Sequence, residues 1–223
     1  SPAFDDDGVL FVIVANQYLR ISRDHGDSWQ FLSHGLDNVH FFSALAISSG
    51  FRTDGRVFAA TRGDGVYWSH DGGHRWQKIN KGLISLDIRQ LLCTGPNDGD
   101  STTYAVDGDG RLYRFGAHER AWTLLGTEKA GVGAIATIPS GHGHLLLVGN
   151  LAGEIRSFDG SSWQAVTARP EGGAIASLLV PGGPFPNATY YVGTTTGAIF
   201  RTDDGGKSFA EAAKGPEGGA ITG

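Results

Sequence analysis

One eight-residue pattern recurs along this chain, and it limits the fold more than any other feature. Ser22-Arg23-Asp24-His25-Gly26-Asp27-Ser28-Trp29 returns as Ser69-His70-Asp71-Gly72-Gly73-His74-Arg75-Trp76, and again as Thr202-Asp203-Asp204-Gly205-Gly206-Lys207-Ser208-Phe209. The shared form is [ST]-x-D-x-G-x-x-[WF]. A version one residue shorter runs from Ser157 through Asp159 to Trp163, and the stretch before Trp122 keeps only the aromatic. The anchors Trp29, Trp76, Trp122, Trp163 and Phe209 are separated by 47, 46, 41 and 46 residues. Five units of about 45 residues fit the period of propeller blades.

Each unit also repeats a strand pattern. Short β-branched and aromatic runs alternate with Gly, Asp and Asn turns, and no helical period of useful length occurs. In the second unit the runs are Phe42 to Ser48, Arg56 to Thr61, Val66 to Ser69 and Trp76 to Ile79, here called strands A, B, C and D. Counterparts of B are Val9 to Ala15, Thr102 to Val106, His144 to Val148 and Thr189 to Val192. Their apolar density suits strands packed on both faces. Of 223 residues 35 are Gly, more than twice the usual ~7%, which agrees with a chain of strands and turns. The longest apolar run, Val9 to Ala15, is far short of the ~20 residues of a membrane helix.

The motif residues predict a hairpin between C and D. Asp bonds backbone groups of its own turn, Gly supplies a positive φ, and the Ser or Thr hydroxyl adds a second local bond. The structural set is therefore Ser22, Asp24, Gly26, Trp29, Ser69, Asp71, Gly73, Trp76, Ser157, Asp159, Trp163, Thr202, Asp204, Gly206 and Phe209. The aromatic is expected to bury its ring against the next blade. These residues resemble the Asp-box, or bacterial neuraminidase repeat, over nearly the whole chain. The resemblance implies a single all-β domain over residues 1–223, a five-bladed propeller of four-stranded antiparallel blades.

The ends refine that expectation. Ser1 to Gly8 aligns with Ser48 to Gly55 at the offset of Trp29 to Trp76, so the chain starts just after a strand A. Glu217 to Thr222 aligns with Glu171 to Ala176 at the offset of Trp163 to Phe209, so it ends on a strand A. That last strand is expected to pair beside Val9 to Ala15, completing the first blade and closing the ring without a free edge. The competing arrangement has Ala220 to Thr222 opening a sixth blade. The sequence contains no Met, and residues upstream of Ser1 are expected.

Function is sought in the loops that join B to C and D to the next A, which a propeller gathers on one face. They diverge where the framework repeats, as suits a scaffold presenting one asymmetric surface. The candidate binding residues are Asn16, Tyr18, Arg62, Asp64, Arg89, Asp107, Asp109, Asn150, Arg169 and Glu171, with Glu128 and Lys129 in a neighbouring loop. Arg62, Arg89 and Arg169 are candidates to converge on an anion, and Asp107 with Asp109 to act as a carboxylate pair.

The sialidases of the resembled family use an arginine triad, a Tyr and Glu nucleophile pair and an acid Asp on a six-bladed ring. None of these is legible here, so no catalytic residue is assigned. A net charge of -5 and dispersed basic residues argue against a nucleic-acid partner. The single Cys93 excludes an internal disulfide. His142-Gly143-His144 offers two imidazoles without a third ligand, and no metal or cofactor is expected. The family's other members, sortilin-type receptors and photosystem assembly factors with related extracytoplasmic scaffolds, point to a noncatalytic subunit docking on a protein or larger assembly. A glycan-binding module or glycosidase is the alternative, weakened because Tyr18 is the only aromatic in the B to C loops. Analogy with the family implies an extracytoplasmic setting, with no membrane-spanning segment in these residues.

Overall fold

A computed structural model describes residues 1–14, 18–94, 101–140, 143–184 and 186–214. They form five antiparallel sheets in chain order. Sheet 1 holds β1 (Leu10–Val14), β2 (Tyr18–Ser22) and β3 (Gln30–Leu32). Sheet 2 holds β4 (Phe42–Ile47), β5 (Val57–Thr61), β6 (Val66–Ser69) and β7 (Gln77–Lys78). Sheet 3 holds β8 (Ile88–Cys93), β9 (Thr102–Asp107), β10 (Arg111–Gly116) and β11 (Thr123–Thr127). Sheet 4 holds β12 (Val132–Ser140), β13 (Gly143–Asn150), β14 (Ile155–Phe158) and β15 (Trp163–Ala165). Sheet 5 holds β16 (Ile175–Gly182), β17 (Thr189–Thr194), β18 (Ala198–Thr202) and β19 (Ala210–Lys214). Four sheets have the expected four strands, whereas sheet 1 has three among the described residues. The segment expected to complete it, Ala220 to Thr222, lies outside them. Among the described residues no helix is long and apolar enough to cross a membrane.

The chain divides into two compact units, Ser1–Thr127 with sheets 1 to 3 and Glu128–Gly223 with sheets 4 and 5. Within each, successive sheets pack face to face. In the first unit, Leu19 and Ile21 of sheet 1 join Val57, Ala59 and Tyr67 of sheet 2 in one cluster. Phe58, Ala60 and Val66 on the other face of sheet 2 join Ile88, Ala105 and Tyr113 of sheet 3. Every residue of β5 is buried, because side chains alternate between these two interfaces. This B strand, read from apolar density, is thus buried on both faces, whereas β1 is only partly buried throughout, and each large side chain fully buried contributes about 1.5 to 3 kcal/mol of transfer free energy. In the second unit, Ile138, Leu147 and Ile155 meet Ile175, Tyr190, Val192 and Phe200.

The motif hairpins form as the residue chemistry requires. Ser22 Oγ donates to Asp24 Oδ1 at 2.7 Å and accepts the Gly26 N–H at 2.8 Å, while Asp24 Oδ1 accepts the Ser28 N–H at 2.9 Å. Ser69, Asp71, Gly73 and Arg75 repeat this arrangement, as do Thr202, Asp204, Gly206 and Ser208. Gly26, Gly73 and Gly206 have φ of 99°, 91° and 94°, a region where a side chain is strained. In the shorter copy Asp159 accepts the N–H groups of Ser161 and Ser162, both at 2.8 Å. Hydrogen bonds from the Ser28 hydroxyl and N–H hold the Asp24 carboxyl down at about 2.

The motif aromatics correct one expectation. Trp76 packs with Leu19 and Ile21 of the preceding sheet, and Trp122 donates its Nε1–H to Ile79 O at 2.6 Å, again on the preceding sheet. The backbone explains the direction. Trp76 N–H donates to His34 O at 3.0 Å, and Trp122 N–H to Lys81 O at 2.7 Å, tying the end of one outer strand to the start of the next. Gly35 and Gly82 sit at these joints so tightly that a Cβ would approach Trp76 O or Trp122 O to 2.1 Å.

A second repeat lies between A and B. α1 (Phe4–Asp7) and α2 (Phe51–Asp54) are single turns closed by Asp7 and Asp54, which accept the N–H groups of Val9 and Arg56, each at 2.9 Å.

Candidate functional site

The strand B ends carry the B to C turns, and their last residue is a buried polar side chain in four sheets: Thr61, Asp107, Asn150 and Thr194. Each staples the turn that follows. Asp107 Oδ1 accepts the N–H groups of Asp109 and Arg111, both at 2.9 Å. Asn150 Oδ1 accepts those of Ala152 at 3.0 Å and Glu154 at 2.8 Å. Thr61 Oγ1 accepts the Asp64 N–H and donates to Gly65 O, and Thr194 Oγ1 donates to Ala198 O. Asp107 and Asn150 were expected on the binding surface; the structure instead buries them, because an otherwise bare turn needs an acceptor at that point.

Asp107 and Asp109 are brought together, but by a cation. Arg111 Nη1 lies 3.1 Å from Asp107 Oδ2 and 2.6 Å from Asp109 Oδ2, and Tyr113 OH donates to Asp107 Oδ2 at 2.9 Å. Burial, then this bond to a carboxylate, pushes the Tyr113 phenol up and keeps it a donor. The arrangement is a charged brace with one exposed carboxylate, Asp109, on its rim.

Other candidates of the first unit line an alternating charged surface. Arg89 grips Asp87 with two bonds of 2.8 and 2.7 Å, so its guanidinium is already matched to a carboxylate. Arg62 is exposed, and its backbone bridges to Asp87. Asp64 lies 3.5 Å from Lys78 Nζ. Tyr18 is half exposed and meets the exposed Phe31 edge-on at 5.9 Å, with Arg20 stacked 4.0 Å from the Phe31 centroid. Asn16 and His142 lie outside the described residues.

In the second unit two clefts adjoin at Arg169. One, of about 350 Å³, has Ile155, Ala165 and Val166 on its floor and the pairs Arg156–Glu128 (3.5 Å) and Arg169–Glu154 (3.2 Å) at its walls. The other, of about 490 Å³, runs along Ala152, Gly153 and Arg169 to Gly173, with Glu171 exposed at its edge. Arg169 donates to Ala152 O at 2.6 Å, so a side chain of the D to A loop holds the B to C turn. Glu154 and Arg156 were not anticipated from sequence. The spacing Asn150-x-x-x-Glu154, the same as Asp107-x-x-x-Arg111, is the signal that points to Glu154. Among the described residues no three His, Cys, Asp or Glu side chains gather closely enough to hold a metal ion.

No protein-family model matches this sequence, and no curated protein matches it. Among solved structures, the chain is similar to YCF48 from Cyanidioschyzon merolae, with a TM-score of 0.66 at 14% identity over 96% of this chain and 72% of that one. It is also similar to the GH74 xyloglucanase from Xanthomonas campestris, with a TM-score of 0.64 at 17% identity over 90% of this chain. The chain spans only 29% of that enzyme. Both are β-propeller proteins, and at these identities the likeness shows the fold: the five sheets are propeller blades.

Proposed function

We propose that this chain is an extracytoplasmic, noncatalytic binding scaffold of the Asp-box type, which docks on a protein partner through its B to C and D to A loops. The observation that carries this reading is the pair of clefts joined at Arg169, where exposed Glu171, Glu154 and Arg169 surround apolar floor residues. Mixed charge over a small apolar floor suits complementary pairing with a protein surface. The motif Asp residues are committed to their turns and Asp107 to its brace, which takes these carboxylates out of a glycosidase reading. Of the two structural likenesses, that to YCF48 covers more of both chains than that to the xyloglucanase. A glycan-binding reading is favoured by one feature, the exposed Tyr18 and Phe31 pair.

The test is affinity capture from native membranes and periplasm with wild-type chain, Arg62→Glu and Glu171→Lys. Both positions are exposed, so the melting temperature should hold within about 2 °C while capture of a reproducible partner weakens. Undiminished capture by both variants would sink the loop assignment. Turnover of a panel of glycosides and sialosides would sink the noncatalytic one.

A further inference from the structure

The 350 Å³ cleft of the second unit holds charges at unequal depth. Of the four side chains in its two ion pairs, Arg156, Glu154 and Arg169 are 42%, 54% and 57% exposed, whereas Glu128 is 11% exposed. The deepest charge is therefore a carboxylate. A carboxylate taken out of water needs close donors, and those that meet Glu128 stand back. Arg156 Nη1 lies 3.5 Å from its Oε2, and the Ala130 N–H donates to its Oε1 at 3.4 Å.

Elsewhere in the chain the same kind of pair closes fully. Arg89 donates to Asp87 at 2.8 and 2.7 Å, and Arg201 to Asp203 at 3.0 and 2.8 Å, although all four side chains are more exposed than Glu128. In the cleft each guanidinium has a second attachment that draws it aside. Arg156 lies 5.3 Å from the centroid of the Trp163 ring, and Arg169 donates to Ala152 O at 2.6 Å. Beside Arg156, its cross-strand partner Ala165 continues with Val166 into an apolar floor. An unbranched aliphatic stem lies well on such a floor, and a cation at its tip would supply the donors that Glu128 lacks at close range. A compact ammonium suits this place better than a second planar fork.

We propose that the cleft receives a lysine side chain of the protein partner. Its stem lies along Ala165 and Val166, its ammonium donates to Glu128, and the exposed Glu154 adds a second carboxylate. Arg156 is the placeholder, moving toward Trp163 as the ammonium enters. This rests on the proposed docking function for the source of the lysine.

The test is titration of the purified chain, followed by backbone amide NMR, with blocked tripeptides that carry a central lysine, glutamate or norleucine between alanines. The lysine peptide alone should give saturable shifts, centred on Glu128, Glu154 to Arg156 and Val166 to Arg169. Glu128→Gln should weaken that binding about tenfold or more. Arg156→Met, which removes the cation already at Glu128, should strengthen it about threefold. The second variant leaves Glu128 in place, so a folding defect in the first does not spare the proposal. Four results overturn it: no saturable binding, equal binding of the glutamate or norleucine peptide, unaltered binding in a folded Glu128→Gln, or weaker binding in Arg156→Met. The titration uses no partner and is thus read apart from the capture experiment. Loop-dependent capture without lysine binding overturns the lysine site alone, and lysine binding with capture undiminished in Arg62→Glu and Glu171→Lys upholds the site and overturns the loop assignment alone.

Discussion

Trp29 and Trp76 stand at the same place in the same motif, close the same hairpin and donate the same indole bond, to Gly26 O and Gly73 O, each at 3.0 Å. Yet Trp76 is 4% exposed and Trp29 37%. The motif therefore fixes the turn, while burial of its aromatic depends on the neighbour. Trp76 lies over Leu19 and Ile21 of the blade before it, and Trp29 has no preceding blade within its unit. Local chemistry and interface chemistry are separable even eight residues at a time.

Substitution can break or sharpen that contrast. Trp76→Ala should cost about 3 to 5 kcal/mol, a loss of roughly 10 °C or more in melting temperature, whereas Trp29→Ala should cost about 1 kcal/mol. Equal losses in thermal denaturation would end the comparison. Asp107→Ala should follow at about 3 kcal/mol, since it strands two N–H groups, Tyr113 OH and one contact of Arg111, while Asp109→Ala on the exposed rim should stay within about 0.5 kcal/mol. Denaturant titration separates the two. Asp71→Ala, which removes only a local turn acceptor, should cost about 1 to 2 kcal/mol by analogy with a lost helix cap.

The smallest effect is on the pH profile. The motif carboxyls are held below their unfolded value, Asp24 at about 2, so the stability they contribute is complete above about pH 4 and is lost as pH falls toward 2. Asp204 and Asp159 shift the same way through bonds from Ser208 and from Ser162 and Ser161. At Asp71 burial pushes upward, but the Arg75 N–H and Ser69 hydroxyl outweigh it. Melting temperature against pH should therefore be flat from about 6 to 4 and fall below, with a shallower fall in Asp24→Asn. A profile unchanged by that substitution would separate the motif carboxyls from acid sensitivity.

Much of the framework was legible because it is repeated. Spacing of the aromatics placed the hairpins, and apolar density located β5, β9, β13 and β17, of which β5 packs between two sheets of its unit. The loop face was less legible. Asp107-Gly-Asp-Gly reads equally as a surface turn or a carboxylate pair, and only three-dimensional placement shows Asp107 buried beneath Arg111. The direction in which Trp76 packs was also hidden, since a motif encodes its own bonds and not the side on which the next sheet lies. The segments His34-Gly35-Leu36 and Lys81-Gly82-Leu83 repeat at the offset of Trp29 to Trp76 and would have revealed it.

Those joints have a consequence for how such a chain grows. In the first unit the outer strands of blades 1 and 2 end in an acceptor, His34 O or Lys81 O, and those of blades 2 and 3 begin with a donor, Trp76 N–H or Trp122 N–H, whereas between blades 4 and 5 the earlier blade donates, Ala168 N–H to Gly206 O. Within the first unit the link is directional, so blade 2 carries one half for each of its neighbours, Trp76 N–H for blade 1 and Lys81 O for blade 3. A repeat of the blade 2 kind can therefore be inserted beside blade 1 or blade 3 by recombination with its junctions already matched, whereas one inserted beside blade 5 would meet a junction of the opposite sense.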